Sequence, residues 1–537
     1  MDPTFADRQR RAGLSEDQRT RLLRTIEAHR QGEIRRCIDD YCAFLADNPG
    51  QFDALRLLGA ALVSEGRYEE ALHHLGHALS ISQALPEVWI LQGDACASLR
   101  RHWEAAASYQ RALALNPSSV RTWASLGQQW HALGRHVEAV DCFQRVVSLE
   151  PASAQAHCNL AKALLDLDRP DDALASYESA TRFQPQSLEA WRGCAACLTA
   201  LGRLRDAVEA CNQALRVAAS NRPDPATNPT AELDLLRFNR GLLNLTLGDY
   251  PSGWEDYELR TSRMQAPSGI ALWQAGESLE GRTILLLAEQ GLGDTLQFVR
   301  FVPALTRVGA RVIVRAPSSL HRILMSVAGI SELIDIDADI RPGIDFALPL
   351  ASLPQRLGVT LGGFPEFEAY LSVPDDLSEQ WSARLRPKTA PRIGLAFSGN
   401  PAHSNDRNRS IPLERFAPLI QAGGEWHCLQ NAVREQDELA LRDLPIADHR
   451  QALTDLAETA ALVKQMDVVL SVDTSLVHLA GALGAAPWVL LPFVPDWRWL
   501  QAGEQTPWYP RARLFRQPAR SDWFSPLASV AKALARL

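Results

Sequence analysis

Polar residues follow several apolar runs of this sequence at points where a strand would give way to a helix. The stretch 288–298, AEQGLGDTLQF, follows such a run and carries Gly291, Gly293 and Asp294. A strand-to-helix turn normally favours an anion, because unpaired backbone N–H groups and the helix dipole point at it. Here the chain supplies a carboxylate of its own.

A second group of polar residues follows three apolar runs in the last third of the chain. The group comprises Ser398, Gly399, Asn400, Gln430, Asp473, Thr474 and Ser475. The segment 471–484, SVDTSLVHLAGALG, predicts a buried strand, a turn and a helix, and the helix N-terminus could hold a nucleotide diphosphate. Asp473 could equally be a plain helix cap. Both interpretations remain open from this feature.

Parallel sheets must position these residues. Short apolar runs alternate with helical stretches from about residue 268 onward, and this alternation is typical of parallel strands with helices on both faces. The predicted strands are 283–288, 311–315, 333–337, 346–349, 392–397, 426–429, 467–472 and 488–491. A polar, proline-bearing break at 374–391 divides them four and four. We predict two Rossmann-like α/β subdomains facing a cleft, at 268–385 and 386–537, with ligands at the carboxyl ends of the strands.

The first half of the chain is repetitive. Alanines recur at a constant spacing of 34 residues, at Ala71, Ala105, Ala139, Ala173 and Ala207. This is the tetratricopeptide period, and the segment around Trp123 to Pro151 resembles that consensus closely. We predict an all-α tetratricopeptide superhelix over 1–267, with an insertion at 219–236. Such arrays bind extended peptides, although a spacer or oligomerisation surface is the alternative.

Composition excludes several classes of protein. A net charge of −8 and a pI near 5.9 argue against a nucleic-acid partner, because a protein that binds nucleic acid usually carries a basic patch. No apolar run has the length of an integral membrane segment, and the N-terminus lacks a signal-peptide core. Nine scattered cysteines fit a reducing compartment. We expect a cytoplasmic protein.

Four motifs in the last half of the chain resemble a known family. They are AEQGLGDTLQFVRF at 288–301, GLAFSGNPAHSNDRNRSIPL at 394–413, SVDTSLVHLAGALG at 471–484 and LPFVPDWRWL at 491–500. In this order they resemble the ADP-heptose:lipopolysaccharide heptosyltransferase family of GT-B glycosyltransferases. The whole chain is similar to bacterial proteins in which tetratricopeptide repeats precede such a domain.

The resemblance implies roles for individual residues. It makes Asp294 the general base that takes a proton from an acceptor hydroxyl, with inversion at the anomeric carbon. It places donor binding on Arg409, where the family commonly has lysine, and on Asp473 and Thr474. Arg407 competes with Arg409 on composition alone. With the helix N-terminus at Ser475, these groups could stabilise the leaving diphosphate without a metal or cofactor.

Four further residues are candidate contacts for the acceptor or the sugar. They are Gly293, Gln297, Asp496 and Trp497. Gly293 has no side chain to cover the turn, so an acceptor could approach the backbone closely. Aromatic packing competes with sugar stacking for the tryptophan.

Three functions follow as hypotheses. The first is a hexosyl- or heptosyltransferase that uses a nucleotide-sugar donor to modify a protein presented by the repeats. The second is a heptosyltransferase-like enzyme acting on a lipid-linked or polysaccharide glycan. The third is a binding protein whose transferase domain is inactive. Under each of these hypotheses a homo-oligomer is a candidate assembly. A sugar-nucleotide epimerase is the nearest rival enzyme, but it needs no acceptor and therefore no repeat array.

Overall fold

The computed structural model describes residues 14–220, 229–261, 267, 269–364, 369–403 and 405–537. By its contacts the chain forms two compact units, which divide between Leu198 and Thr199. The sequence predicted the change of architecture at residue 267. The helices that precede this point therefore divide between the two units.

The first unit is a series of antiparallel helix pairs. Its helices are α1 (Glu16–Arg30), α2 (Ile34–Asp47), α3 (Phe52–Ser64), α4 (Tyr68–Ile81), α5 (Pro86–Ser98), α6 (His102–Leu115), α7 (Val120–Ala132), α8 (His136–Leu149), α9 (Ala154–Asp166), α10 (Pro170–Phe183) and most of α11 (Leu188–Ala200). Small residues let the helices of a pair approach closely: a Cβ at Gly127 would lie 2.7 Å from Cε1 of Phe143. The predicted helical repeat is confirmed.

The turn inside each helix pair requires a left-handed residue. Positive φ angles recur at the repeat spacing, at Gly66, Arg100, Gly134, Asp168 and Gly202. Glycine occupies three of these positions, as expected for a residue that ends a helix in the αL region. The repeat period is therefore visible in the backbone conformation as well as in the packing of the helices.

Three more helices belong to the second unit. They are α12 (Leu204–Ser220), α13 (Pro229–Leu247) and α14 (Tyr250–Tyr257). The predicted insertion at 219–236 is helical at both ends, since α12 runs through Ser220 and α13 starts at Pro229. Residues 221–228 lie outside the described part of the chain.

Two parallel sheets follow, as predicted. The first contains β1 (Ala271–Leu272), β2 (Thr283–Leu287), β3 (Arg311–Ala316), β4 (Ile330–Asp335) and β5 (Phe346–Pro349), in the order β1-β5-β2-β3-β4. The second contains β6 (Arg392–Ala396), β7 (Glu425–Cys428), β8 (Ile446–Asp448), β9 (Val468–Val472), β10 (Pro487–Leu491) and β11 (Arg513–Arg516), in the order β11-β10-β9-β6-β7-β8.

Helices connect and flank these strands. They are α15 (Leu292–Phe298), α16 (Val302–Arg307), α17 (Ser318–Leu324), α18 (Leu353–Arg356), α19 (Asp375–Arg384), α20 (Asp406–Arg409), α21 (Ala417–Gln421), α22 (Glu438–Asp443), α23 (Leu456–Val463), α24 (Ser475–Ala482) and α25 (Phe524–Leu534). No helix in the described ranges is long and apolar enough to cross a membrane.

The strand order identifies where a ligand would bind. In the second sheet the first strand, β6, lies between the second strand, β7, and the fourth, β9. This is the doubly wound order, whose crevice opens where the chain reverses direction across the sheet. In the first sheet, β2 likewise lies between β3 and β5. The turns after β2, β6 and β9 are therefore at the expected ligand crevices.

Aromatic residues join α14 to the α/β core. Trp254 and Tyr257 are each 2% exposed and belong to the same hydrophobic cluster as Ile284 of β2. The Trp254 indole donates a 3.1 Å hydrogen bond to the carbonyl of Val359. The Trp508 indole donates a 3.0 Å hydrogen bond to the Tyr250 hydroxyl. These contacts explain why the last repeat helices belong to the second unit.

Candidate functional site

The turns of the two sheets meet where α15 lies against α24. A Cβ at Gly293 would lie 2.8 Å from Cδ2 of His478 and 3.2 Å from Cα of Ser475. Only a residue without a side chain fits there. The glycine is needed so that the two helices can approach, and its role as an acceptor contact stays a prediction.

Asp294 lies in the first turn of α15. One of its carboxylate oxygens accepts a 2.8 Å hydrogen bond from the backbone N–H of Gly291. The other forms an ion pair with Arg498, 204 residues further along the chain. The side chain of Asp294 remains 19% exposed. The structure thus holds Asp294 as a partly accessible carboxylate with a fixed orientation.

Arg498 is the buried cation of this site. Its guanidinium contacts Asp294, donates a 2.9 Å hydrogen bond to Asp496, and bonds to the side-chain oxygen of Gln297. Burial opposes its charge, but the Asp496 and Asp294 carboxylates together hold the pKa of Arg498 well above its ordinary value. The guanidinium therefore stays charged and joins carboxylates from both subdomains.

The loop that carries Asp294 is anchored by the segment after α14. Arg260, 5% exposed, pairs with Glu289 at 2.7 Å and donates a 2.8 Å hydrogen bond to the Ser352 hydroxyl. The hydroxyl of Tyr257 lies 3.3 Å from the side-chain oxygen of Gln290, which has a φ of 59°. A left-handed non-glycine residue persists only where its surroundings fix it. The last repeat helix thus constrains the turn before Asp294.

Gln430 holds the turn after β6. Its side-chain oxygen accepts hydrogen bonds from the backbone N–H groups of Phe397, at 2.8 Å, and Ser398, at 3.2 Å. Its amide nitrogen donates to the Ser398 hydroxyl at 3.0 Å. The predicted donor contacts Gln430 and Ser398 therefore satisfy each other and shape the turn. Asn400 is exposed, and its side-chain oxygen accepts a 3.0 Å hydrogen bond from the N–H of Ala402.

Arg409 links the β6 and β9 turns. It donates a 2.9 Å hydrogen bond to the carbonyl of Asp473, and its Nε lies 3.6 Å from Asp406. That Nε is buried and has no hydrogen-bond partner among the described residues. A Cβ at Gly399 would lie 2.7 Å from the Arg409 guanidinium, which explains the glycine. Arg407, the sequence competitor, is exposed.

Asp473 is the most perturbed carboxyl of the site. Burial in the cleft, followed by the charge of Asp496, raises the pKa of Asp473 to about 7. Thr474 caps α24, and its hydroxyl lies 3.4 Å from the N–H of Leu476. Thr474, not Asp473, therefore caps the helix. Asp473 lies beside the cluster of Arg409, Asp496 and Arg498, and its contact with a ligand stays a prediction.

Two predicted sugar or acceptor contacts are buried instead. Trp497 is 3% exposed and packs edge-on against Trp254 and Trp508, so its ring is not available for stacking on a sugar. Gln297 is fully buried and contacts Arg498. Both predictions are corrected, because the motif DWRW places its aromatic rings in the core. Asp496 is 35% exposed and remains open to a ligand.

The sequence analysis did not select Arg498 or Arg434. Arg434 forms an ion pair with Asp406 and donates a 3.1 Å hydrogen bond to the carbonyl of Gly399. The position of Arg498 between two tryptophans and two residues after Asp496 was the available signal. Its partner Asp294 is too distant in sequence for spacing to identify the pair.

His478 is a neutral support. Burial, reinforced by the charge of Arg498, holds the pKa of His478 well below its ordinary value. Its Nδ1 lies 2.9 Å from the Tyr509 hydroxyl, and its ring stacks on Trp499. These contacts make His478 a hydrogen-bonding strut between α24 and its aromatic neighbours.

Comparison with known proteins defines the class of the N-terminal region. The model of the tetratricopeptide repeat family matches residues 26–79 and 158–224. The model of the bacterial transcriptional activator domain matches residues 91–188. The N-terminal region is therefore a tetratricopeptide repeat region, which is followed by parallel α/β sheets.

A curated relative gives a more particular likeness. The chain is 24% identical over 336 residues to Protein FlbA of Caulobacter vibrioides. The alignment covers 56% of this chain and 55% of that protein, so the chain spans little more than half of the relative's length.

Solved structures also align with part of the chain. MamA from Desulfovibrio magneticus is 19% identical, with a TM-score of 0.31, and the alignment covers 32% of this chain and 97% of that one. YrrB, described as a tetratricopeptide protein with an unusual peptide-binding site, is 18% identical, with a TM-score of 0.32 and coverages of 34% and 93%.

Proposed function

We propose that the chain is an inverting, metal-independent glycosyltransferase that moves a hexose- or heptose-sized sugar from a nucleotide sugar to a hydroxyl group. The observation that carries the proposal is the meeting of charged strand-end turns. Asp294 from the first sheet and Asp473, Asp496, Arg409 and Arg498 from the second lie at or beside the crevices that the strand orders define.

The donor diphosphate belongs on the second subdomain. The N-terminus of α24 offers backbone N–H groups and the positive end of a helix dipole. Arg409 lies beside this terminus, bonded to the carbonyl of Asp473. The positive charge of its guanidinium would attract a phosphate group at the helix N-terminus.

Asp294 acts on the acceptor. The acceptor oxygen attacks the anomeric carbon, its proton passes to Asp294, and the bond to the diphosphate breaks with its electron pair leaving on the phosphate oxygen. A carboxylate has about four lone-pair sites. Arg498 and the N–H of Gly291 use two of them, which leaves lone pairs for the acceptor proton.

The repeats suggest a protein acceptor. Stacked helical repeats present extended surfaces that bind polypeptides. The segment after α14 also contacts the loop that precedes Asp294, through the pair of Arg260 and Glu289. A glycan or lipid-linked acceptor would leave the repeats as an assembly surface.

A second candidate function is a non-catalytic binding protein. It is favoured by the engagement of both oxygens of Asp294. A panel of nucleotide sugars distinguishes the candidates, with donor binding measured by calorimetry and nucleoside diphosphate release measured by a coupled assay. The proposal predicts that one donor binds and is turned over when an acceptor is present. Donor binding without turnover with any acceptor supports the binding protein, and absence of binding refutes the proposal.

A further inference from the structure

Three metal-ligating side chains converge in the first unit, away from the site described above. His131 lies near the end of α7, His136 begins α8, and Asp166 ends α9. Their ligand atoms all lie within 4.8 Å of one another. The two histidines flank one helix-pair turn, whereas the aspartate comes from the next pair. The cluster therefore spans two consecutive repeats.

The distances fit a tetrahedral ion. Nε2 of His131 lies 2.6 Å from Oδ2 of Asp166, and Nδ1 of His136 lies 3.9 Å from the same oxygen. An ion about 2.1 Å from each ligand holds tetrahedral ligand atoms roughly 3.4 Å apart. The two observed distances lie on either side of this value. Small side-chain rotations would bring all three ligands to one ion.

The histidine nitrogen is available. Nδ1 of His136 is buried and has no hydrogen-bond partner among the residues that the structure describes. A neutral imidazole carries one nitrogen lone pair, which is the donor that zinc uses. The nearby cation Arg135 is paired with Glu138 and lies over the rings of Trp103 and Trp130. The carboxylate of Glu138 therefore offsets the positive charge of Arg135 close to the cluster.

We propose that His131, His136 and Asp166 bind one divalent transition-metal ion of the zinc type and thereby link two consecutive repeats. Two imidazoles and one carboxylate are ligands of the kind that this class of ion prefers. The three side chains are 25%, 28% and 42% exposed, so a fourth position faces solvent and takes water. The ion would restrain the turn between α7 and α8 against the end of α9.

Cobalt(II) titration of tag-free, chelator-treated full-length protein tests this site. We expect one equivalent to give the visible absorption bands of a tetrahedral complex, and zinc to displace it. Zinc should also raise the melting temperature of the helical unit. The variants His131→Asn and His136→Asn should each weaken binding at least tenfold.

His73→Asn is the matched control, because His73 lies beside His74 on α4 in another histidine pair. It should leave the cobalt spectrum unchanged. If a histidine variant misfolds by circular dichroism, Asp166→Asn decides, since an amide can still bond to His131 but is a poor ligand. Absence of cobalt bands in the wild type, or equal binding by all variants, overturns the proposal.

Discussion

At the scale of single residues, the state of Asp473 makes stability depend on pH. Its pKa is raised to about 7 by burial and then by Asp496, whereas an unfolded aspartate titrates near 4. The folded state therefore binds more protons than the unfolded state between about pH 4 and 7. The free energy of unfolding of the wild type, relative to Asp473→Asn, should fall as pH rises through this window.

Urea unfolding of both proteins between about pH 4 and 8 measures this difference. The variant supplies the control, because other titrating groups contribute alike to both curves. A difference that is constant with pH would show that Asp473 titrates as an ordinary carboxyl.

Arg409 should contribute to donor affinity. Its guanidinium lies beside the N-terminus of α24, bonded to the carbonyl of Asp473, and a hydrogen bond from a charged group contributes about 2 kcal/mol. Arg409→Ala should therefore weaken nucleoside diphosphate binding by about thirtyfold in calorimetry. Arg407→Ala is the matched control, because Arg407 is an exposed arginine in the same helix, α20. Equal affinities for the two variants would remove Arg409 from the donor site.

Local sequence predicted some residues of the site and not others. Asp294 and Thr474 could be selected because turn and cap chemistry depends on a few adjacent residues. Arg498 could not, since its role depends on an ion pair between sequence-distant turns. The burial of Trp497 depends likewise on α14, which supplies its aromatic neighbours.

At the scale of elements, the buried pair of Arg260 and Glu289 should stabilise the connection between the last repeat helix and β2. The side chains are 5% and 7% exposed. Removing one partner of a buried ion pair leaves an uncompensated charge and costs about 3–5 kcal/mol. We expect this loss for Arg260→Met and a smaller loss for Glu289→Leu, because Arg260 also pairs with Glu258 at 2.7 Å.

The double variant should recover part of the loss of Arg260→Met, because Glu289 is no longer left unpaired and Glu258 keeps Arg356 at 3.8 Å. Denaturant unfolding of all four proteins gives the coupling energy. Losses that simply add would contradict a direct role of the pair in holding the loop before Asp294.

Strand prediction succeeded where apolar runs were continuous. All eight predicted strands are present, although β4 starts at Ile330, three residues before its predicted start. The sequence missed β1, β8 and β11, which are edge strands of two to four residues. Short edge strands carry little periodic signal, and their pairing depends on the sheet beside them.

At the scale of the whole molecule, the second unit should need its helices α12 to α14. Trp254 and Tyr257 lie in the α/β core, so a fragment that starts at residue 268 would expose the apolar surface that these two side chains cover. A fragment 201–537 should unfold cooperatively, whereas 268–537 should aggregate or melt at a clearly lower temperature. Calorimetry of both fragments checks this, and equal melting temperatures would restore the boundary that the sequence predicted.

The sequence gives no sign of the division into compact units at 198–199, because the 34-residue period continues through Ala207 into α12. The repeat period indicates how the two helices of one pair pack against each other. It does not indicate which hydrophobic core the last helix pairs join, because that depends on aromatic contacts with residues such as Trp508.

The most direct test of the proposed function is mass spectrometry of polypeptides from cells that co-express candidate acceptor proteins with the wild type or with Asp294→Asn. We expect a hexose- or heptose-sized mass shift on a polypeptide with the wild type. The shift should vanish with the variant, while donor binding is retained. A modification that is equally abundant with both proteins would contradict the role of Asp294, and donor turnover without any modified polypeptide would contradict a protein acceptor.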